Sequence, residues 1–293
     1  MPIVSDKGNW KSQLNSKIGP FVAKVFGQRA YYILRYYSHR HRLPNLKHPQ
    51  DLSERILSAM MSKDFLKYAD YADKVKVREY IKAKGLGDIL LTQYGAWPDA
   101  SQIPFDKLPE KFILKANNGS GGHYICIDKS QMDIEEVVRN MNETLAAVKD
   151  FKKTEPHYGA IKPMILAEEL MGDGITLPVD YKFMCINGKI GDILVASERD
   201  KGAKYCRVSE DWKLLPYTNA EYMPDSIPPR PEHLKEMIEI AKVLSADFEC
   251  VRVDLYDFNG KVYFGELTFS PLGGILSSYT DEGIKALGKM FNK

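Results

Sequence analysis

The sequence predicts an α+β protein in which antiparallel strands predominate, and three observations carry that expectation. Two pairs of apolar runs, Asp180 to Ile186 with Lys189 to Ala196 and Val251 to Leu255 with Val262 to Leu267, flank Asn187-Gly188 and Asn259-Gly260. Asn-Gly favours the tight type I′ turn of a hairpin. A third hairpin, Lys111 to Lys115 with Tyr124 to Asp128, has a glycine-rich tip. Between the hairpins lie segments with helical apolar spacing, and there is no internal repeat or low-complexity tract.

At 293 residues the chain can bury a substantial core and is expected to divide into two or three lobes. Apolar residues at 44% and charged residues at 27% are ordinary globular values. The longest apolar runs, such as Tyr31 to Leu34, fall far short of the roughly 20 residues of a membrane span, and no signal peptide is read at the start. The expectation is a soluble, cytoplasmic protein. Cys126, Cys185, Cys206 and Cys250 form no Cys-x-x-Cys pair, which fits reduced, buried thiols.

The first segment is basic. Nine Lys or Arg and no Asp or Glu stand between Lys7 and Gln50, so a net charge of +2 leaves +2 minus 9, or −7, for the remainder. From Pro20 to Tyr37, Val22, Phe26, Ala30, Ile33 and Tyr37 recur at helical spacing, with Lys24, Arg35 and Arg42 on another face. Such a helix is either a docking element with a basic wet side or a surface for an anionic partner: a polysaccharide, a lipid-linked sugar, or a membrane face to which the protein would be peripheral. No nucleic-acid recognition motif accompanies it, and no nucleic acid is expected.

Further helices are expected over Ser53 to Lys67, over Asp73 to Lys84 with Asp73 as cap and Gly85 as stop, over Asp133 to Val148, and over Pro231 to Leu244. Gly95 to Pro109 reads as loop, Pro163 to Leu170 as a strand, and Pro224 to Pro231 as proline-rich punctuation.

Two features carry chemistry. Closing the last hairpin over Asn259-Gly260 brings Asp254 and Glu266 near each other on one sheet face, two residues from Arg252. Like charges that close repel, and a hard cation such as Mg²⁺, which prefers oxygen ligands, would remove the repulsion. The second feature is the loop Asn117 to Gly122, in which Gly119, Gly121 and Gly122 permit close backbone approach and successive N–H groups can cradle phosphate oxygens, with Lys115 as a point charge. It matches neither the P-loop nor the dinucleotide pattern.

The order of these features is Lys74, then Lys115 with the glycine loop, then Ala167 to Leu170, then Asp180-x-Lys182, then Arg252-x-Asp254 and Glu266-x-Thr268. That order resembles the ATP-grasp superfamily. The phrases LPEKFILKANNGSGG, DYKFMCINGK and VRVDLYDFNGKVYFGELTFSP resemble its TupA-like branch, which is associated with cell-surface polysaccharide gene clusters. The resemblance, over roughly residues 45 to 293, implies an ATP-grasp fold of two α+β lobes sandwiching ATP. It divides the chain into a basic helical segment (1–62), a helical and loop region (63–110), a glycine-loop ATP-binding lobe (111–170) and a central metal-binding lobe (171–293). Lys74 and Lys115 would hold phosphates, and the loop with Asn117, Gly119, Ser120, Gly121 and Gly122 would close over them. Glu168, Glu169 and Leu170 would form the adenine hinge, and Asp180 would approach the ribose. Asp254, Glu266 and Thr268 would hold Mg²⁺, Thr268 standing where better known superfamily members carry Asn. Arg252, aimed at the transferring phosphoryl group, and Lys182 would be the catalytic residues.

The implied activity is an ATP- and Mg²⁺-dependent carboxylate–amine ligase working through an acyl phosphate. It would act on a sugar carboxylate such as a uronic acid, with a small-molecule amine as nucleophile. The alternatives are a sugar phosphotransferase on the same fold and a glycosyltransferase of the same pathway; no Asp-x-Asp motif supports the latter.

Overall fold

The computed structural model describes residues 10–119, 122–147, 154–172, 178–197 and 204–292, except for the side chains of 10–20 and 197. The helices are α1 (Trp10–Arg40), α2 (Leu52–Met60), α3 (Ala69–Ala72), α4 (Val77–Ala83), α5 (Ile134–Ala147), α6 (Pro156–Ala160), α7 (Leu234–Ser245) and α8 (Asp281–Gly288). The strands are β1 (Gln93–Trp97), β2 (Phe112–Ala116), β3 (Tyr124–Cys126), β4 (Ile165–Glu169), β5 (Asp180–Ile186), β6 (Lys189–Ser197), β7 (Lys204–Val208), β8 (Cys250–Phe258) and β9 (Lys261–Thr268). The chain forms two compact units: Met1–Leu34, Asp64–Val77 and Leu91–Thr176 make the first, and Arg35–Lys63, Arg78–Leu90 and Leu177–Lys293 the second.

The first unit is built on an antiparallel sheet in the order β1-β4-β2-β3. Alternate residues Phe112, Leu114 and Ala116 of β2, with Ile165 and Ala167 of β4, bury one face against Val137, Met141 and Leu145 of α5. The strand period of two meets the i, i+4 spacing of one helix face, as an α-on-β layer requires. Asp133 caps α5 by accepting from the Glu136 N–H at 3.0 Å. Strand β1 (Gln93–Trp97) runs into the region from Gly95 expected to be loop. It carries a bulge between Gln93 and Gly95, and a Cβ on Gly95 would meet the Trp97 ring at 2.4 Å, so the glycine that makes the sequence read as a breaker is what lets the strand pair.

The second unit holds an antiparallel sheet in the order β7-β6-β5-β8-β9. Both Asn-Gly turns form as expected, with positive φ at Asn187 (50°), Gly188 (71°), Asn259 (50°) and Gly260 (74°). One face, with Phe183, Cys185, Ile193, Val195, Val251, Val253 and Leu255, is apolar and packs on α7, whose inner side is Met237, Ala241 and Leu244. The other face is charged.

Three expected helices differ. The helix expected through Lys67 ends at Met60, capped at its start by Asp51, whose Oδ1 accepts from the Glu54 N–H at 2.9 Å. That expected from Asp73 begins at Val77, after a turn in which the Asp73 carboxylate accepts from the Val75 N–H and from Asn117, each at 2.9 Å. In α1, Gly27 (φ 83°) breaks the helical phase, so the apolar face drawn through Val22, Phe26 and Tyr37 does not persist. Buried instead are Ala23, Tyr31, Tyr32 and Tyr36, while Phe21 (61%), Val25 (54%) and Phe26 (69%) are exposed.

The basic face drawn through Lys24, Arg35 and Arg42 does not form as one surface either. Arg35 donates to the carbonyls of Leu272 and Gly273 at 3.4 and 3.5 Å. Arg42 bridges Asp51 (2.5 Å) and Glu54 (2.9 Å), two buried carboxylates that share Tyr36 Oη. Lys24 and Arg29 remain exposed. Lys7 and the side chains of Lys11 and Lys17 lie outside the described residues. No helix among the described residues is long and apolar enough to cross a membrane.

Candidate active site

Asp254 and Glu266 are directly opposed in the β8–β9 ladder, and a bulge sets that register. Counting outward from the turn pairs Phe258 with Lys261 and Leu255 with Phe264, and would set Asp254 against Gly265. The register shifts there by one, leaving Gly265 as the extra residue and Glu266 as the partner of Asp254. A Cβ on Gly265 would press on Tyr256 at 3.0 Å and on the Asp254 carbonyl at 3.1 Å, so the bulge is built for glycine. Lys182 of β5 is the partner of Asp254 on its other side, and Arg252 that of Thr268. All of these side chains share the charged face.

The cluster is held by short ionic contacts. Arg252 embraces Asp254 through Nε to Oδ1 at 2.6 Å and Nη2 to Oδ2 at 2.7 Å. The same Nη2 reaches Glu266 Oε1 at 3.0 Å and Thr268 Oγ1 at 3.1 Å, and the threonine hydroxyl also donates to Glu266 at 3.0 Å. Lys182 Nζ lies 2.6 Å from Asp254 Oδ2 and 2.5 Å from Asp180 Oδ2. Burial works against the charge on Arg252 and Lys182, but the carboxylates around them raise both above their ordinary values, so both stay cationic. Burial pushes the Asp254 carboxyl up, against the pull of Arg252 and Lys182.

The glycine loop is braced within the first unit. Buried Asn117 donates through Nδ2 to Asp73 (2.9 Å) and the Lys162 carbonyl (3.1 Å), and accepts from the Met164 N–H at 2.8 Å. Its carbonyl accepts from the Lys74 N–H at 3.1 Å, and Lys74 Nζ reaches the Gly119 carbonyl at 2.8 Å. Asn117 and Lys74 therefore tie the loop to the segment before α4. Gly119 (φ 134°) and Gly122 (φ 62°) occupy backbone conformations that favour glycine. Lys115 pairs with Glu168 at 2.8 Å on the sheet face opposite the α5 core. Glu169 accepts from the Thr92 N–H at 3.1 Å, and Leu170 follows β4, half-buried. Ser120 and Gly121 lie outside the described residues.

The structure thus gathers Asp180, Lys182, Arg252, Asp254, Glu266 and Thr268 on one sheet, and Lys74, Asn117 and Gly119 around one loop. It also gives polar groups roles that the sequence did not assign. Asp73, expected only as a helix cap, anchors Asn117, and on the charged face of the second sheet Arg207 is fully buried, stacked 3.4 Å over the Tyr279 ring and bonded to Thr218 (3.0 Å) and Ser278 (2.9 Å). Asp192, beside it, accepts from Tyr279 at 3.2 Å, and its carboxyl is pushed up to about 6 by burial. The signal was the Lys204–Val208 alternation, which places Arg207 among apolar neighbours of a strand.

No curated protein matches the chain. Among solved structures it is similar to the ATP-grasp ligase PsnB complexed with a minimal precursor (13% identity, 77% of this chain and 57% of that one, TM-score 0.40). It is likewise similar to the D-alanine–D-alanine ligases of Bacillus anthracis (19%, 82% and 66%, TM-score 0.43) and Helicobacter pylori (15%, 76% and 58%, TM-score 0.42). The similar region therefore spans between 57% and 66% of the length of these proteins. The TupA-like ATP-grasp family matches residues 51–292, which take in both hairpins of the charged sheet and the whole glycine loop. The chain belongs to the TupA-like ATP-grasp family.

Proposed function

We propose that the protein is an ATP- and Mg²⁺-dependent carboxylate–amine ligase. The observation that carries this reading is the Asp254–Glu266 pair, opposed across one ladder with Arg252 and Lys182 against it, in a chain of this family. The donor set fits a hard divalent ion, because two carboxylates and the Thr268 hydroxyl present oxygen from adjacent positions on one face. Among the described residues no three His, Cys, Asp or Glu side chains are grouped to hold a metal by themselves, so phosphate oxygens would complete the shell. When bound, Mg²⁺ would neutralise the charge on the transferred phosphate.

In the proposed reaction a substrate carboxylate oxygen attacks the γ-phosphorus, the bond to the bridging oxygen breaks, and ADP leaves. An amine then attacks the acyl carbon, inorganic phosphate leaves with the bonding electrons, and the amine gives up a proton. The chain's part is positioning and charge. Arg252 would carry a fixed positive charge to the transferring phosphoryl group, and Lys182 would hold Asp180 and Asp254 in place. Lys74, Lys115 and the Gly119 to Gly122 backbone would take the nucleotide phosphates. The TupA-like resemblance supports a uronic acid carboxylate as acceptor, in cell-surface polysaccharide synthesis. The exposed Phe21, Val25 and Phe26 beside Lys24 and Arg29 support an anionic surface as the partner of the N-terminal helix.

Hydroxylamine supplied with MgATP and a panel of uronic acids tests the reaction class. A hydroxamate forming with stoichiometric ADP is expected. A phosphorylated sugar accumulating without any amine overturns the ligase reading in favour of a phosphotransferase.

A further inference from the structure

The space between Asp254 and Glu266 already holds a cation. Both oxygens of Asp254 are taken: Oδ1 accepts from Arg252 Nε, and Oδ2 accepts from Arg252 Nη2 and from Lys182 Nζ. Glu266 Oε1 accepts from the same Nη2 and from Thr268. A divalent ion entering this pair alone would compete with two charged donors for the carboxylate oxygens and sit against a guanidinium of its own sign. The nearest further acid on this face, Asp180, is engaged by Lys182 at 2.5 Å, and among the described residues no three His, Cys, Asp or Glu side chains are grouped to hold a metal by themselves.

We propose that Arg252 is a resident counter-cation of the metal site, which gives up its place only to an ion arriving with nucleotide phosphates, so that the nucleotide-free protein does not take up the divalent ion. This rests on the reading of Asp254 and Glu266 as metal ligands. The exchange conserves charge and hydrogen bonds. Phosphate oxygens supply the ligands that two carboxylates lack, and they offer the guanidinium fork new anionic acceptors as it leaves Asp254. Arg252 lies two residues from Asp254 on the same strand face, so the exchange requires a side-chain swing and no change in the ladder. Arg252 thus has two successive positions: on the carboxylates in the resting protein, and on the phosphoryl group once nucleotide is bound.

Mn²⁺ serves as the probe, with free ion read by electron paramagnetic resonance, for the full-length wild type, Arg252→Gln and Asp254→Asn, each with and without a non-hydrolysable ATP analogue. Without nucleotide, Arg252→Gln is expected to bind Mn²⁺ at least about tenfold more tightly than the wild type. The analogue should close that gap by raising the wild type's affinity, and Asp254→Asn should lose binding in both states. Wild-type protein binding Mn²⁺ without nucleotide as tightly as Arg252→Gln overturns the proposal while leaving the ligand assignment standing. Wild type and Arg252→Gln both ignoring Mn²⁺ even with the analogue overturns the ligand assignment itself. Should Arg252→Gln fail to fold, Arg252→Lys keeps a balancing charge but lacks the fork that reaches both carboxylates. Its nucleotide-free Mn²⁺ affinity is expected to exceed the wild type's, and equality overturns the proposal.

Discussion

Asp254→Asn and Glu266→Gln are alike by charge count, since each leaves two carboxylates facing Arg252 and Lys182 where the wild type has three. The geometry makes them unlike. Asp254, 2% exposed, accepts three charge-assisted bonds of 2.6 to 2.7 Å, two from Arg252 and one from Lys182. Glu266, 28% exposed, accepts from Arg252 and from the Thr268 hydroxyl, each at 3.0 Å. Removing one partner of a buried pair costs about 3–5 kcal/mol, whereas exposed pairs contribute about 0–1 kcal/mol. Some solvent reaches Arg252 (16% exposed) and Lys182 (17% exposed), which places Asp254→Asn near the lower bound, at about 3 kcal/mol. Glu266→Gln keeps an acceptor oxygen at a wetter site, and about 1 kcal/mol is expected. Urea denaturation of the two variants at neutral pH measures the difference. Equal losses of stability would refute the assignment of Asp254 as the hub of the cluster. Both variants should also lose Mg²⁺-dependent ADP release by more than tenfold, about 1.4 kcal/mol of transition-state stabilisation. Either one retaining more than a tenth of the rate would sink the metal-ligand reading.

Arg42→Ala strands the buried Asp51 and Glu54 carboxylates and should cost about 2 kcal/mol, since the arginine is partly exposed, while Lys24→Ala stays within about 0.5 kcal/mol; urea midpoints separate them. Burial holds the His157 pKa down at about 3, so the folded protein keeps it neutral while the unfolded chain protonates it near 6.5. Its contribution is present above pH 6.5 and is lost as pH falls toward 3, at up to about 1.4 kcal/mol per pH unit; His157→Phe should flatten that part of the stability profile. Gly122→Ala combines a positive φ with a Cβ that would lie 2.5 Å from Thr144 Cγ2, and should weaken binding of an ATP analogue in calorimetry; Thr144→Ala added to it relieves the clash and restores only part of the affinity. Reversing Lys24 and Arg29 to Glu should reduce co-sedimentation with anionic vesicles and its salt dependence, leaving ATP affinity unchanged; unaltered sedimentation would assign the helix face to another partner.

The hairpins were legible because Asn-Gly turns and period-two alternation are local signals that tertiary structure did not override at Asp180–Ile186, Lys189–Ser197 or Cys250–Thr268. The two acids were legible as members of one hairpin, but the ladder that puts them on one face was not, because counting from the turn sets Asp254 against Gly265, and the bulge that corrects this is written in close approaches of Gly265 to Tyr256 and Asp254 and in no turn motif. Nor was the counter-ion: a sequence shows Arg252 and Asp254 two apart without showing that one holds the other. The basic segment misled for a related reason. Arg35, Arg40 and Arg42 lack local acids, and find acids at Asp51, Glu54 and Asp281 and carbonyls at Leu272, Gly273 and Leu276, beyond the reach of helical spacing. The break at Gly27 then shifted the apolar face, since one φ of 83° rotates every position after it.

The alternation along β8, Val251, Arg252, Val253, Asp254, Leu255, bears on folding specificity. A one-residue slip in a sheet moves every side chain to the other face. If β9 closed without its bulge, the residues beyond Gly265 would move by one place: Glu266 and Thr268 would turn to the apolar face and Leu267 would turn into the charged cluster. That misregistered hairpin would set a carboxylate beside Val253 on the apolar face with no cation next to it, a state disfavoured by several kcal/mol. Arg252, Asp254 and Glu266 thereby select the correct pairing against its nearest competitor. Neutralising them would lower that discrimination, and with it the share of chains that reach the native ladder rather than a slipped and sticky one.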